Sequence, residues 1–189
     1  MGNAVTGRPV ILGMNASLDG YISGPAGQGD IEEIMKTMSD ELAAHFVEAL
    51  AEIDTMLMGR VNYLEQAEYW PTATDPMADV VNGHTKIVFA STLEKVNWQN
   101  ARLATGTPAE EIAKLKTGTS GVIGVSGGAR FAQSLLRDGL VDQVWLTVHP
   151  VALGGGTPLF TDLTRFELLS TKVFAKGVVL HKFAVTGRA

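Results

Sequence analysis

Three short turns in this sequence carry residue types that bind phosphate groups. They are Gly59-Arg60, Ser91-Thr92 and Ser126-Gly127-Gly128, and each follows an apolar run typical of a buried strand. Glycine lets the backbone approach a ligand closely, Ser and Thr supply hydroxyl groups, and the Arg guanidinium pairs with phosphate oxygens. If the strands are parallel, the turns lie at one edge of the sheet, where open α/β sheets bind ligands. The pattern therefore predicts that the turns jointly hold a dinucleotide.

The third turn is the strongest of these signals. Gly121–Val125 reads as a strand and a helix begins near Ala129, so the free N–H groups of that helix would point at the glycines. A plain tight connection explains the same glycines, because neither complete phosphate-binding glycine motif is present. Likewise, Arg60 also suits an exposed helix start, and Ser91-Thr92 also suits a capping pair.

Composition places the chain among globular proteins without disulfides. The 189 residues are 46% hydrophobic and 19% charged, which suits one domain over residues 1–189. The net charge of −5 and the scattered Lys and Arg give no general attraction to nucleic acid. The chain has no Cys, and its four His are too far apart for a local metal motif, so we expect no metal site.

The sequence shows no recognisable membrane or targeting segment. No apolar run approaches the roughly 18 residues that cross a bilayer, and residues 1–10 lack the apolar core of a signal peptide. We therefore expect a cytoplasmic protein.

Apolar runs alternate with helical patterns along most of the chain, which predicts an α/β domain around a largely parallel sheet. The clearest strands are Val10–Met14, Thr55–Met58, Lys86–Ala90, Gly121–Val125 and Val144–Val148. Residues 166–171 and 177–185 have no helix between them, so we expect a C-terminal antiparallel hairpin. The stretch over residues 15–30 is rich in Gly, Ser and Asp and is predicted to be an irregular loop.

Three helices have recognisable starts. Ser39 or Asp40 suits the N-cap of an amphipathic helix, and Asp75-Pro76 places proline in the first turn of another. Residues 107–110 combine a capping box with a proline at the first helical position.

Seven motifs occur in the order found in one enzyme family. They are SLDG at Ser17–Gly20, MGR at Met58–Arg60, YWP at Tyr69–Pro71, AST at Ala90–Thr92, SGGA at Ser126–Ala129, GLVDQV at Gly139–Val144 and LGGGTPLF at Leu153–Phe160. Over nearly its whole length the chain resembles the reductases with a dihydrofolate reductase-like fold. The branch it resembles is the C-terminal domain of the riboflavin-biosynthesis deaminase/reductase, a 5-amino-6-(5-phosphoribosylamino)uracil reductase.

This resemblance implies a fold, a cofactor and a class of reaction. The fold is a three-layer α/β domain with an eight-stranded, mixed but mostly parallel sheet and a C-terminal antiparallel hairpin. The cofactor is NADPH, which lies across the strand ends. The reaction is hydride transfer to a small conjugated heterocycle that is pterin-, pyrimidine- or flavin-like.

The resemblance also implies roles for individual residues. Asn15, Ala16 and Ile22 would hold the nicotinamide carboxamide, and Phe131 would pack near the nicotinamide. Arg60 and Ser91 would face the adenosine 2′-phosphate. The pyrophosphate would lie against Gly127, Gly128 and Ala129. The remaining residues of the implied cofactor site are Gly59, Asn62, Thr92 and Ser126.

Two departures from the family pattern bear on the ligands. Asn62 stands where the family usually has Thr, although its amide still donates to a phosphate. Gly13 stands where the riboflavin-pathway reductases usually have Lys, which leaves a ribose-phosphate substrate in question. Folate reductases use a carboxylate on the first long helix, and residues 30, 32 and 33 are equal candidates for it here. The zinc motif of the fused deaminase is absent.

The reaction also needs a proton and an acceptor pocket. Asp19 is the nearest acidic candidate to order a substrate or a proton-delivering water, and a raised pKa would suit that work. Asp19 equally suits a plain cap of the turn before Gly20. Tyr21, Tyr69 and Trp70 are candidates for an aromatic wall of the acceptor pocket, although such aromatics also suit the core.

Two other functions compete with the reductase. A phosphate-binding transferase would use the same glycine turns, but no Lys follows them to steady a transferred phosphoryl group. A non-catalytic nucleotide- or ligand-binding protein would keep the same fold. We also expect a homodimer, because Trp145, Thr147 and His149 face one side of a strand while Val144, Leu146 and Val148 face the other.

Overall fold

An eight-stranded mixed sheet forms the centre of the chain in the computed structural model, which describes residues 7–25, 28–118 and 121–188. The strands are β1 (Val10–Ser17), β2 (Tyr21–Ser23), β3 (Ile53–Gly59), β4 (Thr85–Phe89), β5 (Ala101–Leu103), β6 (Val122–Ser126), β7 (Gln143–His149), β8 (Thr157–Pro158), β9 (Thr164–Val173) and β10 (Val179–Arg188). The helices are α1 (Gln28–Met35), α2 (Asp40–Ala51), α3 (Arg60–Tyr69), α4 (Pro76–Gly83), α5 (Pro108–Lys116) and α6 (Ala129–Arg137), followed by a short 3-10 turn at Ala175–Gly177.

The strand order in the sheet is β5-β4-β3-β6-β1-β7-β10-β9. The first six of these strands run parallel, whereas β10 is antiparallel to both β7 and β9. The predicted α/β class, the eight strands and the C-terminal antiparallel hairpin are therefore confirmed.

The stretch over residues 15–30 is more regular than we predicted. β1 continues through Ser17, β2 pairs with β8 in a separate two-stranded ribbon, and α1 begins at Gln28. β5 was also missed. Strands of two or three residues leave no periodic pattern in a sequence, since their partner is what defines them.

Alternate residues of the central strands feed two apolar layers. Leu57 and Ile87 pack in a cluster with α5 and α6, whereas Met58 and Val88 pack in a second cluster with Tyr63 of α3 and Val81 of α4. This division follows from the two-residue period of a strand. A third cluster joins α2 to β10 and contains Leu42, Phe174, Val178 and Leu180. The sheet thus lies between two layers of helices.

The helix starts fall into two groups. Ser39, Asp75 and Thr107 cap α2, α4 and α5 through their side chains, and Thr107 forms the predicted capping box with Glu110. By contrast, α3 and α6 begin after Gly59 and Gly128, and neither start has a side-chain cap. The first N–H groups of these two helices are therefore left for another partner.

Both faces of β7 are covered by the chain itself. Trp145 packs against the cluster beneath α2, and His149 is fully buried on the same side of the strand. Leu146, on the opposite side, packs against the main core. The assignment of a β7 face to a dimer contact is thus wrong, because α2 and the C-terminal segment bury the face that we had expected a second copy to bury.

Candidate active site

The three predicted turns lie at one edge of the sheet. β4, β3 and β6 are parallel neighbours, with Gly59 opposite Phe89 and Met58 opposite Ser126. The turn after each strand therefore leaves from the carboxyl end, where ligands bind in such sheets. The three turns, which are spread over more than sixty positions of the sequence, therefore form one continuous rim.

The glycine turn has a backbone that other residues rarely adopt. Gly127 has a φ of +42° and Gly128 a φ of +78°. A Cβ atom on Gly127 would lie 2.6 Å from Nδ2 of Asn62, which is too close for any real contact. The turn thus requires glycine both for its conformation and for the approach of the Asn62 amide.

Uncapped helix starts coincide with this edge of the sheet. α3 follows β3 and α6 follows β6, and both starts lack the side-chain cap that α2, α4 and α5 possess. Arg60, Ser91 and Thr92 lie exposed at the same rim. Within the described part of the chain, the Arg60 guanidinium makes no hydrogen bond or ion pair. Free N–H groups, hydroxyls and a guanidinium all favour an anion here.

Gln66 of α3 connects the rim, and sequence reasoning missed it. Its Nε2 donates to Ser126 Oγ at 2.8 Å and to Asn62 Oδ1 at 3.1 Å, while its Oε1 accepts from Trp70 Nε1 at 3.2 Å. Because the Asn62 oxygen is occupied, its Nδ2 donor is directed at Gly127. The available signal was the spacing of 62, 66 and 70, which places the three side chains on one helix face.

Phe131 lies beneath the turns that follow β3 and β4. Its ring stacks on Phe89 with centroids 5.1 Å apart, and its Cβ would be 2.9 Å from a Cβ on Gly59. Gly59 thereby lets α6 approach the end of β3 closely. This position is two strands away from Asn15 and Ala16 on β1. Phe131 thus lies nearer the turns assigned to the adenosine phosphate than the residues assigned to the nicotinamide.

Asn15 is held by a buried histidine. His149 Nε2 is 2.9 Å from Asn15 Oδ1, and His149 Nδ1 is 2.6 Å from Thr37 Oγ1. Burial lowers the pKa of His149, so the ring is neutral at pH 7 and carries one proton. The contact with Nε2 fixes the orientation of the Asn15 side chain at this edge of the sheet. Ala16 is buried beside it, and Ile22 packs on the main core.

Asp19 joins two loops. Its carboxylate accepts hydrogen bonds from Ser17 Oγ at 2.6 Å, from the Leu153 N–H at 3.1 Å and from the Gly154 N–H at 2.7 Å. The Ser17 hydrogen bond is the main cause of a lowered pKa at Asp19. The raised pKa that we expected is therefore wrong, because each of these donors stabilises the ionised form.

A cavity of about 330 Å³ lies between α2 and the sheet, next to the glycine turn. Apolar side chains form most of its wall, including Phe46, Leu50 and Trp145. Ser126, Gly127 and Asn15 also line it. No Asp or Glu lines it among the residues that the structure describes.

The predicted carboxylates and aromatic wall lie elsewhere. Glu32 and Glu33 are exposed, and the side chain of residue 30 lies outside the described residues. Trp70 lines an adjoining cavity of about 140 Å³, which shares Leu50 and Ser126 with the first, and Tyr21 belongs to the β2–β8 ribbon. In the described ranges, no ring contact or shared cavity joins Tyr21 to Trp70. Phe46 and Trp145 are instead the aromatic residues that line the cavity between α2 and the sheet.

The described part of the chain contains neither a membrane-spanning helix nor a cluster of metal ligands. No helix in it is long and apolar enough to cross a membrane. Over the same ranges, no three or more His, Cys, Asp or Glu side chains are placed to hold a metal ion.

Comparison with known sequences identifies a family and a relative. The family model of the RibD C-terminal domain matches residues 8–180. The uncharacterized protein YyaP of Bacillus subtilis strain 168 is 33% identical over 187 residues, which are 95% of this chain and 96% of YyaP.

Solved structures with the same fold come from several bacteria. A putative riboflavin biosynthesis protein from Shewanella sp. PV-4 has a TM-score of 0.71 at 23% identity, covering 95% of this chain and all of that one. The deaminase/5-amino-6-(5-phosphoribosylamino)uracil reductase of Thermotoga maritima has a TM-score of 0.67 at 16% identity, covering 95% of this chain and 57% of that one. Dihydrofolate reductase from Enterococcus faecalis, complexed with NADP(H), has a TM-score of 0.55 at 14% identity, covering 95% of this chain and 97% of that one.

Proposed function

Because the chain belongs to the RibD C-terminal domain family, we propose that it is an NADPH-dependent reductase of a small conjugated heterocycle. The observation that carries this proposal is the pair of uncapped helices, α3 and α6, that start at one edge of the sheet. A dinucleotide carries anionic groups at a spacing that spans neighbouring strand ends. By contrast, α2, α4 and α5 are capped by their own side chains and have no need of such a ligand.

The residues at the rim fit NADPH. The turn has room for a pyrophosphate beside Gly128, where a Cβ would meet only Asn62 Cβ, at 3.5 Å, whereas Gly127 lets the Asn62 amide approach the turn. Ser126, Asn62 and the N–H groups of Ala129 and its neighbours are the donors for it. Arg60, with Ser91 and Thr92, would receive the 2′-phosphate, which distinguishes NADPH from NADH.

The nicotinamide supplies the hydride when the cofactor is bound. The chain's own contribution is to bind and orient. Asn15, fixed by His149, would hold the carboxamide, and the cavity under α2 would hold the acceptor away from water. The lowered pKa of Asp19 favours a role in fixing the two loops, so its role as proton donor stays a prediction.

The cavity narrows the class of acceptor. An amino-substituted pterin ring is held in folate reductases by a carboxylate, and the described lining of this cavity has none. Gly13 lines the cavity where riboflavin-pathway reductases usually carry Lys. We therefore favour a flavin- or pyrimidine-like acceptor without a ribose phosphate.

Titration with NADPH and NADH, followed by intrinsic and cofactor fluorescence, tests this proposal. Arg60→Ala should weaken NADPH binding by about 1–2 kcal/mol and leave NADH almost unchanged, because only NADPH has the 2′-phosphate. Equal losses for the two cofactors would remove Arg60 from that role. Arg165→Ala, which removes an exposed arginine from β9 at the far edge of the sheet, is the control.

Gly128→Val tests the pyrophosphate turn. A branched side chain at a φ of +78° strains the turn and occupies the space the ligand needs. Asn62→Leu tests the same contact without backbone strain, so loss of folding in the first variant does not leave the site untested. NADPH affinity equal to wild type in a folded Asn62→Leu protein would remove the pyrophosphate from this turn.

A non-catalytic nucleotide-binding protein is the second candidate, because its relative YyaP is uncharacterized and the fold alone does not fix activity. Oxidation of NADPH on addition of pyrimidine- or flavin-like acceptors distinguishes the two. Binding without oxidation for every acceptor would favour the binder.

We keep a homodimer and a cytoplasmic location as parts of the proposal. With β7 covered, the candidate contact is the edge strand β9, where Leu168, Leu169 and Val173 are exposed. An exposed apolar edge strand is a site for pairing with another chain unless it is covered.

A further inference from the structure

We propose that the cavity under α2 takes a planar heterocyclic acceptor with an anionic group close to the ring, which His45 and Lys182 receive. This inference rests on the proposed function, because it names the substrate class of that same site. Three features of the described residues carry it: an unpartnered histidine nitrogen, an unpartnered ammonium over an aromatic ring, and the shape of the cavity.

His45 lines the cavity from α2. Its Nε2 atom is buried and has no hydrogen-bond partner among the described residues. A buried polar atom without a partner costs free energy, so such atoms are rare unless a ligand or water completes them. The ring also stacks obliquely on Phe174, with centroids 5.3 Å apart, which fixes its plane.

Lys182 lies beside the cavity, next to Trp145 and Leu180, which both line it. It is directly opposite Trp145 in the β7–β10 pairing, and its Nζ is 3.4 Å from the centroid of the Trp145 ring. Leu180 lines the cavity and is two residues away on the same strand, so Lys182 faces the same side of the sheet. Within the described ranges, the Lys182 ammonium makes no hydrogen bond and no ion pair closer than 4 Å.

The neighbouring lysine, Lys172, differs from Lys182 in its ion pairing. Lys172, on the adjacent strand β9, lies over the Phe174 ring at 4.5 Å and forms an ion pair with Glu41 at 3.6 Å. Its charge is therefore already paired, whereas that of Lys182 is half-buried over an aromatic ring. Burial lowers the pKa of Lys182, and only the more distant Glu52 opposes this effect. An anion beside Lys182 would replace the lost solvation.

Two lysines and two glutamates lie near His45, and of the two lysines only Lys182 lacks an ion-pair partner among the described residues. The pKa of His45 is lowered first by burial and then by Lys172 and Lys182, while Glu48 and Glu52 on its own helix raise it. A neutral His45 still donates one N–H to an anion, so the pairing does not require its protonation.

The shape of the cavity sets the size of the ligand. A volume of about 330 Å³ is at the small end of the range for ligand pockets, about 300–1,000 Å³. Gly13 faces Trp145 across the β1–β7 pairing, and a Cβ at Gly13 would meet no atom within 4 Å. The missing side chain leaves an open, flat space beside the indole that suits a planar ring. An anion held by Lys182 is then close to that ring, because the ammonium lies over the same indole.

Calorimetric titration of the cofactor-free protein with 2-naphthoate tests the inference. 2-Naphthalenemethanol is the neutral probe of the same shape, and 2-naphthyl phosphate distinguishes a phosphate from a carboxylate. We expect wild type to bind at least one of the two anions about tenfold more tightly than the alcohol. The anion that binds more tightly identifies which of the two groups the site prefers.

Two variants and a matched control locate the anion. His45→Gln and Lys182→Met should each lose most of the preference for the anion and keep the affinity for the alcohol. Lys172→Met removes the same charge from the neighbouring strand and should change the preference less than threefold. Lys182→Gln, which removes the charge but keeps a polar side chain, should also lose the preference, so the inference stays testable if Lys182→Met does not fold.

The outcomes separate this inference from the proposed function. Equal binding of the anions and the alcohol by wild type overturns it, and so does an unchanged preference in folded Lys182→Met. NADPH is titrated into the same samples. NADPH binding without a preference for the anion leaves the proposed function and removes this inference, whereas a preference without NADPH binding does the reverse.

Discussion

Replacement of Gln66 by Leu should loosen the pyrophosphate turn without touching the ligand. Gln66 fills the same space as Leu but makes three hydrogen bonds, at 2.8, 3.1 and 3.2 Å, to Ser126, Asn62 and Trp70. Each half-buried hydrogen bond contributes about 0.5–1.5 kcal/mol net. Burial of the apolar Leu side chain offsets part of the stabilisation lost with these hydrogen bonds. We therefore expect the free energy of unfolding to be lower by about 1–2 kcal/mol.

The effect on the cofactor follows from two of the three hydrogen bonds. Without Gln66, the Asn62 amide can rotate and Ser126 loses its donor, so the turn must be ordered again when the pyrophosphate binds. Loss of about 1 kcal/mol of binding free energy corresponds to roughly a fivefold increase in Kd. Both NADPH and NADH carry the pyrophosphate, so both should weaken equally, unlike in Arg60→Ala.

Fluorescence titration with both cofactors measures this change, and urea unfolding measures the loss of stability. Gln99→Leu is the matched control, because Gln99 donates one exposed hydrogen bond to Asn82 O away from the turn. A Gln66→Leu protein that is folded and binds both cofactors within twofold of wild type would refute the positioning role. A loss confined to NADPH would place the effect at the 2′-phosphate instead.

Three further predictions concern stability and assembly. Burial lowers the pKa of His149 below its usual 6.5, so the unfolded chain binds a proton first and the free energy of unfolding should fall as pH drops below about 6.5; urea titrations of wild type and His149→Gln should show a shallower fall in the variant. Arg102 and the Thr105 groups lower the pKa of Glu111 to about 2, so its carboxylate stabilises the fold fully above its usual pKa of 4.5, and this effect is lost as pH falls from there through about 2. Glu111→Gln should therefore cost about 1.5–3 kcal/mol at neutral pH, and its difference from wild type should shrink in acid urea titrations. Leu168→Lys on β9 should convert the proposed dimer to a monomer, and light scattering that gives 20.1 kDa for wild type would contradict the dimer.

The turns at the sheet edge were predictable because their signals are local. Glycine after an apolar run marks a strand end, whatever the rest of the chain does. The parallel order of β3, β4 and β6 then follows from the alternation of strands and helices. The same local logic gave the Ser39, Asp75 and Thr107 caps.

The acceptor cavity was not predictable in the same way. Trp145 and Phe46 meet only because α2 crosses the β7 and β10 side of the sheet, and no local pattern reports that crossing. We instead predicted Trp70 in the wall of the acceptor pocket, but its indole donates to Gln66 and packs against the second core cluster. Aromatic residues serve core and pocket equally well, so their type alone does not tell one from the other.

The contact between Asp19 and the loop at Leu153 and Gly154 also has a consequence for the order of events during translation. β1 leaves the ribosome first, but both of its sheet neighbours, β6 and β7, lie beyond residue 121, and Asp19 finds its partners only at residues 153 and 154. At about 5–20 residues per second, the first strand waits several seconds without partners on either edge. The nascent chain therefore carries an unpaired apolar strand for most of its synthesis, and ribosome-bound chains that end near residue 120 should recruit chaperones more strongly than those that expose residue 154.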